Sequence, residues 1–108
     1  MKLYGIKNCD TVKKARVYLD EHNVDYEFVD FRDSPITIDT ISQFIEKVGM
    51  EVLVNKRSTT YRGLSDAQKS NITPSLILEN PTLIKRPVVV NRQQVLVGFK
   101  EDAFKALI

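Results

Sequence analysis

The chain has 108 residues, 43% hydrophobic and 28% charged, which suffices for a globular core and excludes a disordered segment. Its formal net charge of +2 gives no electrostatic case for nucleic acid, and apolar runs of four or five residues are too short to span a membrane. The single cysteine cannot form an internal disulfide and Met1 to Lys7 lacks a secretory signal, so a cytoplasmic monomer is expected.

Residues 2–6 read as a strand, and apolar Val12, Ala15, Tyr18 and Leu19 place a helix over 10–22, closed by Asn23 as a left-handed cap. Residues 24–31 alternate apolar and polar side chains, which predicts a strand with one buried face. After the Ser34-Pro35 break, Ile38, Ile41, Phe44, Ile45 and Val48 make the stripe of a helix over 37–48, stopped by Gly49. Short helical pieces follow at 50–54 and 65–69. Thr73-Pro74 opens another helix, which Asn80-Pro81 closes. Residues 88–90 and 94–97 form a hairpin, and 101–108 a terminal helix.

This order predicts an α/β, thioredoxin-like fold: a mixed four-stranded sheet flanked by helices. The core comprises 1–35 and 81–108, with a helical insertion at 36–80, all within one domain.

Cys9 falls where the first strand ends and the first helix begins. Helix N-termini present unsatisfied N–H groups and favour negative charge. Such surroundings bring cysteine thiols from about 8.5 into the range of roughly 3.5 to 7.5. The competing reading is a small buried hydrophobe, the commoner use of a free cysteine. Val12 stands where a dithiol enzyme has its second cysteine, so exchange at Cys9 needs an external resolving thiol, most simply glutathione or another small thiol.

Lys13 lies one helical turn beyond Cys9. Arg57, Arg62 and Arg86 are the other cations retained as candidates for an anionic substrate. Lys14, Arg16, Lys85 and Arg92 are assigned to solvated surface. Pro87 opens the third strand, either as a plain strand-entry residue or through a cis bond that sets it beside the thiol. His22 is the only histidine and lies far along the helix from Cys9, so no metal site is expected. No glycine-rich phosphate loop is present, and no tightly bound cofactor is expected.

Three stretches carry a family resemblance: Tyr4-Gly5-Ile6-Lys7-Asn8-Cys9-Asp10-Thr11-Val12-Lys13-Lys14-Ala15-Arg16, then Asn55-Lys56-Arg57-Ser58-Thr59-Thr60-Tyr61-Arg62, then Arg86-Pro87-Val88-Val89-Val90. In these the chain resembles the arsenate reductase-like (ArsC/Spx/YffB) family, nearest its YffB branch, over essentially its full length. The resemblance implies a thiolate at Cys9 and an anion-facing Arg86. Beside these, Asn8 and Thr11 of the Asn8-Cys9-Asp10-Thr11 turn, with Lys13, Arg57, Arg62 and Pro87, are retained as candidate substrate contacts.

Arsenate reductases of the family use three arginines. Here Asn55 stands at the first, with Arg57 two residues on, and no arginine stands near Gly98. Their histidine before the cysteine falls at Gly5, and Lys13 replaces an arginine. The expected activity is a glutathione-dependent thiol reductase acting on a small anionic or disulfide substrate. The alternatives are arsenate reduction, or a non-catalytic Spx-like module that binds RNA polymerase.

Overall fold

The computed structural model describes residues 1–108. Strand β1 (Lys2–Gly5) leads through a turn at Lys7 and Asn8 into helix α1 (Asp10–Glu21). Val12, Ala15 and Leu19 of α1 recur at helical spacing and are fully buried. Beyond the helix Asn23 takes a φ of 57°, a left-handed conformation that asparagine tolerates better than most residues. Strand β2 (Glu27–Asp30) then runs parallel to β1, with Leu3 opposite Phe28 and Gly5 opposite Asp30.

Five short helices follow: α2 (Ile38–Val48), α3 (Met50–Leu53), α4 (Thr59–Arg62), α5 (Asp66–Ser70) and α6 (Pro74–Glu79), then a 3₁₀ turn at Pro81–Leu83. Strands β3 (Val88–Asn91) and β4 (Gln94–Val97) form the hairpin. Its loop is Arg92-Gln93, shorter than expected, because Asn91 pairs with Gln94. Arg92 has a φ of 58°, and a positive first loop residue is what a II′ turn requires. Helix α7 (Glu101–Phe104) continues as a 3₁₀ turn, Lys105–Leu107.

The sheet order is β2-β1-β3-β4, with β1 and β2 parallel and the other pairs antiparallel. This mixed four-stranded sheet with flanking helices is the thioredoxin-like arrangement. The chain divides into two compact units, Met1–Pro35 with Arg86–Ile108, and Ile36–Lys85. The first contains the sheet, α1 and α7. Leu3 and Val89 are cross-strand partners and share a sheet face. There they form one cluster with Val12, Ala15, Leu19, Phe104 and Leu107.

The second unit buries Ile41 and Phe44 of α2, Leu53 and Val54, Leu76 and Ile77 of α6, and Leu83 and Ile84. Four of its five helices start on hydroxyl caps: Thr37, Ser58, Ser65 and Thr73 each accept a backbone N–H of the following turn. Residues 81–85 belong to this unit, not to the sheet core as the sequence suggests. The Asn55 N–H donates to the Leu83 carbonyl at 2.8 Å, and the Lys85 N–H to the Leu53 carbonyl at 2.7 Å. Val54 also bridges Ile84. Helix α4 is unanticipated, because its single turn buries no side chain and so leaves no periodic trace.

At Gly5 the sheet and α1 approach each other closely. A Cβ added there would lie 2.8 Å from Val12 Cγ2 and 3.1 Å from Val12 Cγ1. A β-branched side chain in a full core cannot step aside. Gly5→Ala is therefore expected to cost about 1–3 kcal/mol, read from the urea midpoint. Val12→Ala in the same chain should recover part of that loss, so the pair should cost less than the sum of the single variants. Additive costs would show that the close approach does not matter.

Candidate active site

Cys9 is the N-cap residue of α1, extended at φ −133° and ψ 119°, and its carbonyl accepts the Lys13 N–H at 3.0 Å. Serine, threonine, aspartate or asparagine at this position would cap the first-turn amides. Cys9 makes no such side-chain bond. The amides of the first turn are left for an anion, whether the thiolate itself or a bound oxyanion. The side chain is partly buried, packed against the Leu3–Val12–Phe104 cluster on one side. The thiol is free.

Asn8 and Thr11 flank Cys9 and are exposed. Lys13 is also exposed, and its side chain helps line a groove of about 350 Å³ with Val17, Tyr18 and Phe99. The Arg86-Pro87 bond is cis, which decides between the two readings of Pro87. Pro87 is buried and Arg86 partly so. Tyr4 pairs with Val88, so the end of β1 and the start of β3 lie side by side, and Pro87 is at the same edge of the sheet as the turn bearing Cys9. The Pro87 carbonyl is taken by the Gly98 N–H at 2.8 Å.

The first unit thus brings Asn8, Cys9, Thr11, Arg86 and Pro87 to one sheet edge, with Lys13 one helical turn further on. Arg57 and Arg62 belong to the second unit, the former on the turn after Asn55 and the latter ending α4, both exposed. Asn55 is committed to that turn: its Oδ1 accepts the Arg57 N–H at 3.0 Å. No group of three or more His, Cys, Asp or Glu side chains is placed to hold a metal ion. No helix is long and apolar enough to cross a membrane.

One residue at this edge escapes a reading of the sequence. Asp30 ends β2 and is the one buried charged side chain, 7% exposed. Its Oδ1 accepts the Arg32 N–H at 2.8 Å and its Oδ2 the Lys7 N–H at 3.1 Å. Burial pushes its carboxyl upward, but the amides of Arg32 and Lys7, helped by the charges on both side chains, outweigh that and hold it below the usual carboxylate range. A carboxylate with a depressed value stabilises the fold above its unfolded titration and loses that contribution as pH falls through the folded one. The only sequence signal is an aspartate inside a strand, where aspartate is disfavoured.

A model of the ArsC family matches residues 4–107. A protein of Haemophilus influenzae is 43% identical over 96% of this chain and 95% of its own length. The solved structure of a YFFB (PA3664) protein is 42% identical, with a TM-score of 0.92 over 98% of this chain and 96% of that one. The global transcriptional regulator Spx of Listeria innocua is 27% identical over 98% of this chain and 85% of its own length. With a family match spanning nearly every residue and the Cys9 turn in the matched region, this chain belongs to the ArsC family.

Proposed function

We propose that the protein is a monothiol, glutathione-dependent thiol–disulfide reductase with Cys9 as its nucleophile. The observation that carries this reading is the uncapped N-terminus of α1 around a free, partly exposed thiol. The Cys9 thiolate attacks one sulfur of a disulfide RS–SR′, forming Cys9–S–SR and releasing R′S⁻, which takes a proton from water. Glutathione thiolate then attacks the R sulfur, releasing mixed disulfide GS–SR and regenerating the Cys9 thiolate. A second glutathione attacks GS–SR, releasing RSH and oxidised glutathione, so two glutathiones supply the two electrons, Cys9 is regenerated, and no second protein thiol is used. Val12 is fully buried, so the position that a resolving cysteine would occupy points into the core.

In this proposal Arg86 and Lys13 meet the carboxylates of glutathione or of an anionic substrate. Asn8 and Thr11 line the approach to the thiol. Because Gly98 occupies the Pro87 carbonyl, the backbone of Arg86 is left to hold an extended peptide beside Cys9. Arsenate reduction has weaker support, since Asn55 replaces a charged group and is spent on its own turn.

The second reading is regulatory, and the similarity to Spx proteins over 98% of the chain favours it. A coupled assay separates the two. With glutathione, glutathione reductase and a small dialkyl disulfide, the protein should raise NADPH consumption, and with the disulfide alone mass spectrometry should find the substrate's alkylthio group on Cys9. No turnover and no adduct would leave a binding module.

A further inference from the structure

We infer that Asp30 is a positioning residue for Cys9, its carboxylate fixing the turn that presents the thiol; the inference rests on the reading of Cys9 as a nucleophile. The turn at Lys7 and Asn8 immediately precedes the N-cap. Beside the Phe31 N–H, which donates to the Gly5 carbonyl at 2.9 Å, two tethers through Lys7 join it to the end of β2 and the segment beyond. The backbone N–H of Lys7 donates to Asp30 Oδ2 at 3.1 Å, and its ammonium pairs with Asp33 at 3.1 Å.

The second tether is between side chains 68% and 65% exposed, so it constrains little. The first is partly buried and charge-assisted, and so the stronger. Asp30 also organises its own segment: its Oδ1 holds the Arg32 amide, and its carbonyl accepts the N–H groups of Asp33 and Ser34 at 3.2 and 2.8 Å. One side chain thus clamps the loop carrying Cys9 to the loop leaving the parallel strand. The pairing of Gly5 with Asp30 puts the carboxylate beside the end of β1, where the Lys7 and Arg32 amides both reach it.

A clamp of this kind keeps Cys9 in its extended N-cap conformation, at a helix end whose first-turn amides its side chain leaves uncapped. Released from it, the turn would no longer present the thiol at that helix end, and Cys9 would behave as an unstructured cysteine. This separates positioning from a direct charge effect. Removing a nearby carboxylate, by itself, favours a thiolate and moves the thiol titration down. Losing the N-cap geometry moves it up.

The experiment is the pH profile of Cys9 alkylation by iodoacetamide, a neutral reagent, in the intact protein and in Asp30→Asn and Asp30→Ala. The profile should shift upward in both variants, more in the alanine variant, which keeps no acceptor. At pH 7 the rate should fall by at least about threefold, the equivalent of one modest hydrogen bond. Ile77→Ala, which loosens the core of the second unit, should leave the profile in place.

Amide exchange in the unmodified protein gives a test needing no variant. The Lys7 N–H should be protected by at least about tenfold relative to an open turn, as expected for a bond to a charged acceptor. An unprotected Lys7 amide overturns the inference, and so does an unchanged or downward-shifted profile in Asp30→Asn beside a reactive unmodified protein. An ordinary Cys9 in the unmodified protein instead overturns the nucleophile reading, and the inference with it.

Discussion

Cys9→Ser is expected to abolish thiol exchange while making the protein more stable. The side chain at the N-cap of α1 accepts no backbone N–H as it stands. A serine hydroxyl there has a near-isosteric path to the second or third amide of the helix. Capping oxygens at this position contribute about 0.5–2 kcal/mol over side chains that cannot cap. A gain of about 1 kcal/mol corresponds to a rise in Tm of about 4–8 °C for a domain of this size. Turnover in the glutathione-coupled assay should fall to the uncatalysed background, since a hydroxyl cannot form the mixed disulfide. Stability and activity would then move in opposite directions at one atom, the pattern of a site kept for chemistry at a cost to the fold. A variant that loses stability and keeps turnover would refute both halves of the account.

Phe104→Ala should be the most damaging single truncation in the first unit. Phe104 is fully buried and is the only buried side chain of the four-residue α7. Its ring meets Phe99 edge-on at 4.9 Å and Tyr18 at 6.0 Å, and it packs with Leu3, Leu19 and Val89. A single helical turn has no stability of its own in water. Without that ring the C-terminal segment loses its anchor, and a cavity opens beneath Cys9, which touches the same cluster. Phenylalanine-to-alanine changes in such sites cost about 3–5 kcal/mol, a large share of the roughly 5–15 kcal/mol available to a small domain. Urea denaturation should show the midpoint falling with the slope unchanged. Phe104→Leu should cost clearly less. A loss under about 1 kcal/mol in the alanine variant would mean that α7 is held by its other contacts.

The parts of this structure legible in the sequence are those whose signal is local. The stripe of Val12, Ala15 and Leu19, the Thr73-Pro74 start and the hairpin each carry their own periodicity or cap. They sufficed to place Cys9 between a strand and a helix. What escaped depends on contacts between distant residues. Asp30 is unremarked in a strand pattern until the parallel register sets it opposite Gly5 and within reach of the Lys7 amide. Gly5 reads as an ordinary small residue until Val12 is found pressing on it.

Residues 81–85 look like the approach to β3. Backbone bonds to Leu53 and Asn55, invisible in composition, give them to the other unit. The cis Arg86-Pro87 bond has no sequence signature beyond the proline itself. The arginines were the least legible, because a guanidinium on an irregular loop can face almost anywhere. Asn55, suggested by the resemblance as the place of a missing arginine, proved to be holding the Arg57 turn.

The central claim is that Cys9 is a nucleophile resolved by an external thiol. Its most direct test is the alkylation rate of Cys9 at neutral pH, before and after treatment with oxidised glutathione. The account predicts faster alkylation than an unstructured cysteine shows, complete protection once glutathione is joined to the thiol, and recovery when reduced glutathione removes it. A slow, unprotected thiol would contradict it and leave the fold as a scaffold for binding alone.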